Sequence, residues 1–236
     1  MSTLQYFCRK LHNLTHPVLG RIFMLHRVVE HRSEDANREL EVTPQFLEQT
    51  INDYCNQGYR FVSIDKACAI IANGRSNRPF VCLTFDDGYR DTCDLAYPLL
   101  KKLDIPFVVY VTTGFADDTA SMWWYGKTEA MNWEQIKALD NDPLCTIGAH
   151  TVSHPRLSTL AEEETRKEIV DSKRRLEEML GHSVNHFSYP HGDYNTTTLQ
   201  VVNEAGFTSA LKAWGGNIRK GDANLLELPR IELNEP

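Results

Sequence analysis

The amino-acid sequence predicts an α/β protein in which helices cover a mainly parallel sheet. Short apolar segments alternate with amphipathic segments along the chain, and this alternation is typical of parallel strands joined by helical crossovers. The chain has 236 residues, of which 42% are hydrophobic, so it can bury a sizeable core. We find no internal repeat or low-complexity tract in the sequence, and we assign residues 1–236 to a single domain. A closed barrel and an open sheet both satisfy this pattern.

The first half of the chain contains three predicted strands. Thr43 and Pro44 indicate the start of a helix, because threonine caps helix N-termini and proline favours the first helical position. Gly58 ends this helix. The predicted elements are, in order, an irregular helix at 4–19, a strand at 21–29, a polar loop at 31–40, a helix at 44–57, a strand at 60–64, a short helix at 65–72 and a strongly apolar strand at 80–85.

The second half continues the alternation up to the last predicted strand. Thr159 and Glu162 are spaced as in a capping box, and Gly181 is a typical helix terminator, so we expect a long charged helix between them. The predicted elements are a helix at 89–103, a strand at 105–112, a helix at 133–139, a strand at 144–149, a helix at 162–180, a strand at 186–189, a helix at 196–204 and strands at 207–211 and 226–233.

Charge and cysteine content indicate what kind of protein this is. The formal net charge of −7 argues against nucleic acid as a partner. The six cysteines show no paired spacing, which favours a reduced compartment. The N-terminal segment lacks the apolar core of a secretory signal, and no apolar run approaches the ~20 residues of a membrane span. We therefore expect a cytoplasmic protein, although an exported protein whose signal had been removed would look the same.

Two aspartates and two histidines follow two of the predicted strands. Asp86 and Asp87 belong to TFDDG at residues 84–88, whereas His150 and His154 belong to HTVSH at residues 150–154. Catalytic groups in α/β folds gather at the carboxyl ends of the strands, so we expect these four side chains to meet. Taken singly, an Asp-Asp-Gly triplet is typical of a turn, and a His pair at this spacing is typical of a polar surface.

The combined residue types indicate a metal site. Two imidazoles and one carboxylate form a three-ligand set for Zn²⁺ or a similar cation, with one coordination position left for water. Such a cation lowers the pKa of its bound water towards ~7. The second aspartate is then available to accept a proton from the attacking water. The sequence therefore predicts a metal-dependent hydrolase.

Together with FSYPHG at residues 187–192, these motifs resemble those of the polysaccharide deacetylases, the NodB-homology carbohydrate esterases of family 4. The resemblance implies an α/β fold of the distorted (β/α)7 barrel type and the removal of acetyl groups from N-acetylated sugars. It also implies that Asp86 is the general base and that Asp87, His150 and His154 bind the metal. The implied metal is Zn²⁺, with Co²⁺ or Ni²⁺ as alternatives.

The chain departs from the family pattern in two places. Most members have an arginine that positions the catalytic aspartate where this chain has Ser188. Arg230 is our candidate replacement, although a structural or surface arginine would look the same. No histidine follows His191, whereas members usually carry an acid histidine near the C-terminus. His26 resembles the acid histidine of a permuted branch that includes bacterial poly-N-acetylglucosamine deacetylases; the alternative is a structural histidine at a strand edge.

Aromatic residues near the motifs are candidates for binding a sugar. Trp123 and Trp124 either form a wall against the apolar face of a pyranose or pack in a small core beneath a long loop. Tyr189 and Pro190 are candidates for a second wall. By resemblance, the backbone N–H of His191 helps to hold the oxyanion.

The sequence thus predicts a metal-dependent carbohydrate N-deacetylase. Its expected substrate is an N-acetylated sugar or polysaccharide, no nucleic-acid partner is expected, and the oligomeric state is left open. One alternative is a metal-dependent amidase that acts on a non-sugar C–N bond with the same residues. A second alternative is a catalytically decayed sugar-binding module, which Ser188 would explain.

Overall fold

The computed structural model describes residues 17–34, 36–122, 129–221 and 224–236. The strands are β1 (Val18–Leu25), β2 (Arg27–Val28), β3 (Glu41–Val42), β4 (Arg60–Phe61), β5 (Phe80–Phe85), β6 (Phe107–Val111), β7 (Cys145–Ala149), β8 (His186–Ser188), β9 (Ser209–Leu211), β10 (Ile218–Arg219) and β11 (Ile231–Glu232). The α-helices are Pro44–Asn56, Ile64–Asn73, Tyr97–Lys102, Thr113–Ala116, Trp133–Asp140, Glu162–Leu180 and Thr196–Glu204. A π-helix spans Thr92–Ala96, and 3₁₀ turns span Ala36–Leu40, Leu157–Thr159, Pro190–Gly192 and Leu225–Glu227.

Parallel strands form the body of the sheet in the order β1-β5-β6-β7-β8-β9. β11 pairs in parallel with β1, and Leu228, just before β11, forms a parallel bridge to Leu211 of β9. The C-terminal segment therefore lies between β9 and β1 and closes the sheet into a distorted barrel. β4 adds to β5, β10 adds antiparallel to β1, and β2 pairs with β3 in a separate small sheet. The predicted α/β fold of barrel type is confirmed.

Alternate strand residues face the inside of the barrel, because side chains two positions apart share a face of a strand. Near the amino ends of the strands this face is apolar, and helix Ile64–Asn73 packs against it. At the carboxyl ends the same face becomes polar. A separate apolar cluster lies between the outer face of the sheet and the surrounding helices. The fold thus places a buried polar layer at one end of the barrel, above an apolar floor.

Most predicted elements are confirmed within a few residues. The Thr43 side chain accepts a hydrogen bond from the N–H of Phe46 and begins helix Pro44–Asn56 as expected. Among the described residues, the cysteines are free thiols, and no helix combines the length and apolar character needed to cross a bilayer.

The helix predicted at 4–19 lies almost wholly outside the described residues, and its last two positions, Val18 and Leu19, belong to β1. Two further sequence predictions need correction. The long helix Glu162–Leu180 has its N-cap at Ala161, whose N–H donates to the Glu164 carboxylate, and not at Thr159, which ends a 3₁₀ turn. The strand predicted at 226–233 is reduced to β11, because a 3₁₀ turn precedes it and Pro229 has no N–H to donate to a ladder.

We predict that Gly148→Ala destabilises the protein by about 1–3 kcal/mol, because buried strands tolerate added atoms poorly. A Cβ at Gly148 would lie 2.5 Å from ring atoms of Tyr110 and 3.0 Å from the carbonyl oxygen of His186. Chemical denaturation measures this free energy of unfolding. Tyr110→Phe is the control: its hydroxyl is buried and has no hydrogen-bond partner among the described residues, so removing it should not lower stability. An unchanged unfolding midpoint for Gly148→Ala would contradict the packing described.

Candidate metal and catalytic site

The predicted site residues come together at the carboxyl end of the barrel. Asp86 and Asp87 directly follow β5, and His150 directly follows β7. Neighbouring strands hold these positions, since the N–H of Asp86 donates to the carbonyl of Leu25 and that of His150 donates to the carbonyl of Val111. The motifs, separated in sequence, therefore converge because parallel strands end at the same edge.

Asp87, His150 and His154 form a cluster that fits a metal ion. Asp87 Oδ1 lies 3.3 Å from His150 Nε2 and 3.2 Å from His154 Nε2, and one ligand atom from each residue lies within 4.8 Å of the others. Asp87 Oδ1 is buried and accepts no well-directed hydrogen bond among the described residues. A buried carboxylate oxygen without a donor, facing two imidazole nitrogens, is the arrangement expected of a divalent-cation site.

A further contact orients the first of these histidines. His150 Nδ1 lies 2.8 Å from the carbonyl oxygen of Ser188. Because a carbonyl only accepts hydrogen bonds, Nδ1 carries the proton and Nε2 keeps its lone pair for a metal. This contact also ties the end of β8 to the end of β7.

Several site residues adopt left-handed backbone conformations. The φ angles are 71° at Asp87, 68° at Thr151, 63° at His154 and 57° at His191. For residues other than glycine such angles are strained, and they persist where the surrounding structure enforces them. At His154 one such contact is visible, since its N–H donates to Thr151 Oγ1 at 3.0 Å. The strained backbone conformations at Asp87 and His154 therefore occur where the chain turns proposed ligand side chains into the site.

Asp86 is held by a buried ion pair with Arg230. Arg230 Nη1 donates to Asp86 Oδ1 at 2.7 Å and Nη2 donates to Oδ2 at 2.6 Å, which is a bidentate arrangement. The remaining guanidinium donors reach Thr84 Oγ1, Ser188 Oγ and the carbonyl of Lys212 at 3.0, 2.9 and 3.0 Å. Arg230 thus occupies the position next to Asp86 for which Ser188 is too short, and Ser188 supports the pair from the side.

The pair determines the charge state of Asp86. Burial would raise the pKa of Asp86, but the charge of Arg230, assisted by His150, outweighs burial and keeps this pKa below its ordinary value. Burial likewise acts to raise the pKa of Asp87, while the adjacent His154 and His150 imidazoles hold it well below the usual range. Both aspartates are therefore carboxylates at neutral pH.

A cavity of about 360 Å³ opens above these residues. His26, at the end of β1, lies half-buried on its wall beside the two aspartates. His191 lies next to His154, with ring centroids 4.5 Å apart. Burial, together with the neighbouring His154 and Arg156 side chains, lowers the pKa of His191 to about 4, so this ring is neutral at pH 7. The full lining is Met24, His26, Leu40, Asp86, Asp87, His150, His154, Arg156, Tyr189, His191, Gly192, Ala213, Trp214, Arg230 and Glu232.

The candidate sugar-binding residues lie in different places relative to the cavity. Tyr189 lines the cavity and stacks on Tyr194. Pro190 is buried in the 3₁₀ turn and is not among the lining residues, and its proposed contact with a sugar stays a prediction. Its rigid ring shapes the turn that carries His191. Trp123 and Trp124 lie outside the described residues.

Among the lining residues that the sequence did not predict, three carry charged or aromatic side chains, namely Arg156, Trp214 and Glu232. Trp214 is 64% exposed. Its position just after β9 and before two glycines places it in a loop at the catalytic end of the barrel, and that was the available signal.

Comparison with known proteins decides the family. Residues 73–210 match the family described as Polysaccharide deacetylase, and this match covers more than half of the chain. The chain belongs to the polysaccharide deacetylase family. The resemblance inferred from the motifs and the predicted enzyme class, a carbohydrate N-deacetylase, are thereby confirmed, whereas the roles of individual residues and the assignment of residues 1–236 to one domain stay predictions.

Solved structures agree with this assignment. The Streptococcus pyogenes deacetylase PplD, determined in complex with acetate, is 29% identical with a TM-score of 0.80, covering 92% of this chain and 93% of PplD. IcaB from Ammonifex degensii is 26% identical with a TM-score of 0.80, covering 92% of each chain.

Curated relatives extend further than this chain. The poly-β-1,6-N-acetyl-D-glucosamine N-deacetylase of Staphylococcus aureus is 21% identical over 81% of this chain and 67% of its own length. The chain spans 52% of a Streptomyces coelicolor relative and 40% of the chitooligosaccharide deacetylase of Azorhizobium caulinodans.

We predict that wild-type protein stripped with a chelator takes up about one Zn²⁺ per chain and that Asp87→Ala loses this binding, since three-ligand sites depend on every ligand. Calorimetric titration of the stripped protein measures both. Asp86→Asn is the matched control, because it alters the adjacent carboxylate without removing a proposed ligand. Equal metal loss in both variants would show that the assignment of ligand and base is wrong.

Proposed function

We propose that this protein removes acetyl groups from N-acetylated amino sugars of a polysaccharide or glycan precursor, with Zn²⁺ bound by Asp87, His150 and His154. The observation that carries the proposal is the position of a metal-ligand cluster directly beside Asp86, a buried carboxylate held by Arg230. The cluster and the carboxylate open into one cavity. A divalent cation in this cluster would polarise the acetamide carbonyl and acidify water.

Asp86 accepts the proton of the attacking water. Its pKa lies below the ordinary value, so it is ionised and able to accept a proton at neutral pH. Arg230 contacts both of its oxygens and thereby fixes the plane of the carboxylate towards the cavity. General-base help of this kind contributes ~10²–10⁴-fold to the rate.

His26 donates the proton that the leaving amine needs. It lies on the cavity wall at the end of β1, near both aspartates, and so on the side of the site next to β5. Around the barrel, the proposed metal ligands of β7 lie beyond β6, on the other side of Asp86. The arrangement gives base and acid separate positions around one acetamide group, as the reaction requires.

The substrate class rests on the relatives and on the cavity. The Staphylococcus aureus relative acts on poly-β-1,6-N-acetyl-D-glucosamine, and the exposed ring of Trp214 at the cavity offers a surface on which a pyranose can stack. The absence of the family arginine at Ser188 was the observation that favoured a decayed binding module. Arg230 answers it, because its guanidinium contacts Asp86 in place of that arginine. The cytoplasmic location stays a prediction.

Acetate release tests the function directly. Metal-loaded protein should release acetate from at least one of a panel of N-acetylglucosamine oligomers, acetylated nucleotide sugars and lipid-linked amino sugars. Stripping the metal should abolish release, and Zn²⁺ or Co²⁺ should restore it. Asp86→Asn should lower the rate by about 10³-fold while metal stays bound. No release from any acetylated sugar by protein holding one metal per chain would favour a non-sugar amidase.

We predict that Arg230→Lys lowers kcat/KM by about 10–100-fold, because lysine keeps the charge but loses the bidentate contact. Arg230→Met should lose more activity and also stability, since it leaves Asp86 buried without a counter-charge. Steady-state kinetics and denaturation together measure these effects.

The double variant Asp86→Asn/Arg230→Met separates the two roles of this ion pair. It leaves neither charge buried, so it should recover stability relative to Arg230→Met without recovering activity. An Arg230→Met protein that is both active and stable would contradict the role of Arg230 in positioning Asp86.

A further inference from the structure

Glu232 is a half-buried carboxylate in the catalytic cavity that the proposed reaction does not use. It lies on β11 two residues after Arg230, and therefore on the same face of the strand, turned towards the inside of the barrel. Within the part of the chain that the structure describes, its carboxylate forms no hydrogen bond or ion pair. A partly desolvated carboxylate without a partner is costly, which suggests that a ligand supplies the missing donor.

The strand register places Glu232 outside the reacting centre. Glu232 pairs with Met24 of β1, and His26 lies two residues beyond Met24. Met24 in turn pairs with Thr84 of β5, so Glu232 lies two strands to the side of Asp86 and not nearer the mouth. Two strand spacings correspond to roughly 10 Å between backbones, and inward-facing side chains shorten this separation. Such a separation is comparable with one sugar unit. Glu232 thus faces the neighbour of the sugar whose acetamide meets Asp86.

The chemistry of the substrate supplies a matching cation. Each deacetylation converts a neutral acetamide into an amine that is protonated in neutral water, so a partly processed chain carries ammonium groups next to acetylated units. We propose that Glu232 binds the ammonium group of a glucosamine unit adjacent to the sugar being deacetylated, and thereby favours chains that already contain glucosamine. This inference rests on the proposed function.

Arg156 and Glu232 carry opposite charges on two walls of the cavity, and this difference determines on which side an ammonium group binds. Arg156 follows His154 and lines the cavity on the β7 side, whereas Glu232 lies on the β11 and β1 side. An ammonium group is therefore attracted to the Glu232 wall and repelled from the Arg156 wall. An acetylated neighbour offers Glu232 only a neutral N–H donor and leaves the charge of its carboxylate uncompensated, so it should bind more weakly than a neighbour with an ammonium group.

Binding measured without turnover tests the inference. Metal-loaded protein is titrated with a glucosamine trimer and with a neutral glucose trimer of the same linkage, neither of which has an acetyl group to lose. Glu232→Gln keeps the shape of the side chain but removes its charge. It should lower the affinity for the glucosamine trimer by about 5–20-fold and the affinity for the glucose trimer by less than twofold. Glu134→Gln, an exposed carboxylate outside the cavity lining, is the matched control and should change neither affinity.

Each outcome has a distinct meaning. Equal weakening of both trimers by Glu232→Gln would indicate a packing role and overturn the inference, as would an unchanged affinity for glucosamine or no measurable binding of it to the wild type. Because the titration needs no acetate release, a protein that shows Glu232-dependent binding but deacetylates nothing would refute the proposed function and leave the ammonium site standing.

Discussion

The buried ion pair between Asp86 and Arg230 is the interaction on which the site depends. A carboxylate with almost no exposure to water tends to take up a proton, and a neutral Asp86 could not serve as a base. The bidentate guanidinium reverses that tendency and also fixes the orientation of the carboxylate. Thr84, Ser188 and the carbonyl of Lys212 accept from the remaining donors of the guanidinium, so the pair is enclosed by partners that keep it buried.

Closure of the barrel makes this pair possible. The segment that carries Arg230 contacts β9 on one side and β1 on the other, so it brings a cation against the end of β5 from the far end of the chain. The same closure sets β11 beside β1 and puts His26 and Glu232 on adjoining walls of one cavity. The metal-ligand cluster, by contrast, depends on β5 and β7 and on the turns that follow them.

Sequence reasoning succeeded where local pattern and strand ends carried the information. The placement of Asp86, Asp87, His150 and His154 followed from apolar runs that end in polar groups. Arg230 was proposed as the partner of Asp86 only through the family resemblance, because it lies 144 positions away and only the closed sheet brings it near. The helix start at Ala161 was missed because alanine has no capping side chain, and Glu164 reaches back to the N–H of Ala161 instead. Glu232 was missed because a glutamate within a short strand reads as an ordinary exposed residue; its role depends on which face of β11 points inward.

The distance in sequence between Asp86 and Arg230 has a consequence for synthesis on the ribosome. The strands from β1 to β7 emerge first and can begin to pair, but during that time Asp86 has no guanidinium beside it. A carboxylate without a counter-charge opposes being enclosed, so we expect burial of this end of the barrel to become favourable only once Arg230 can reach Asp86. The ionised state of the active carboxylate is thus tied to the closure of the barrel by the segment that carries Arg230.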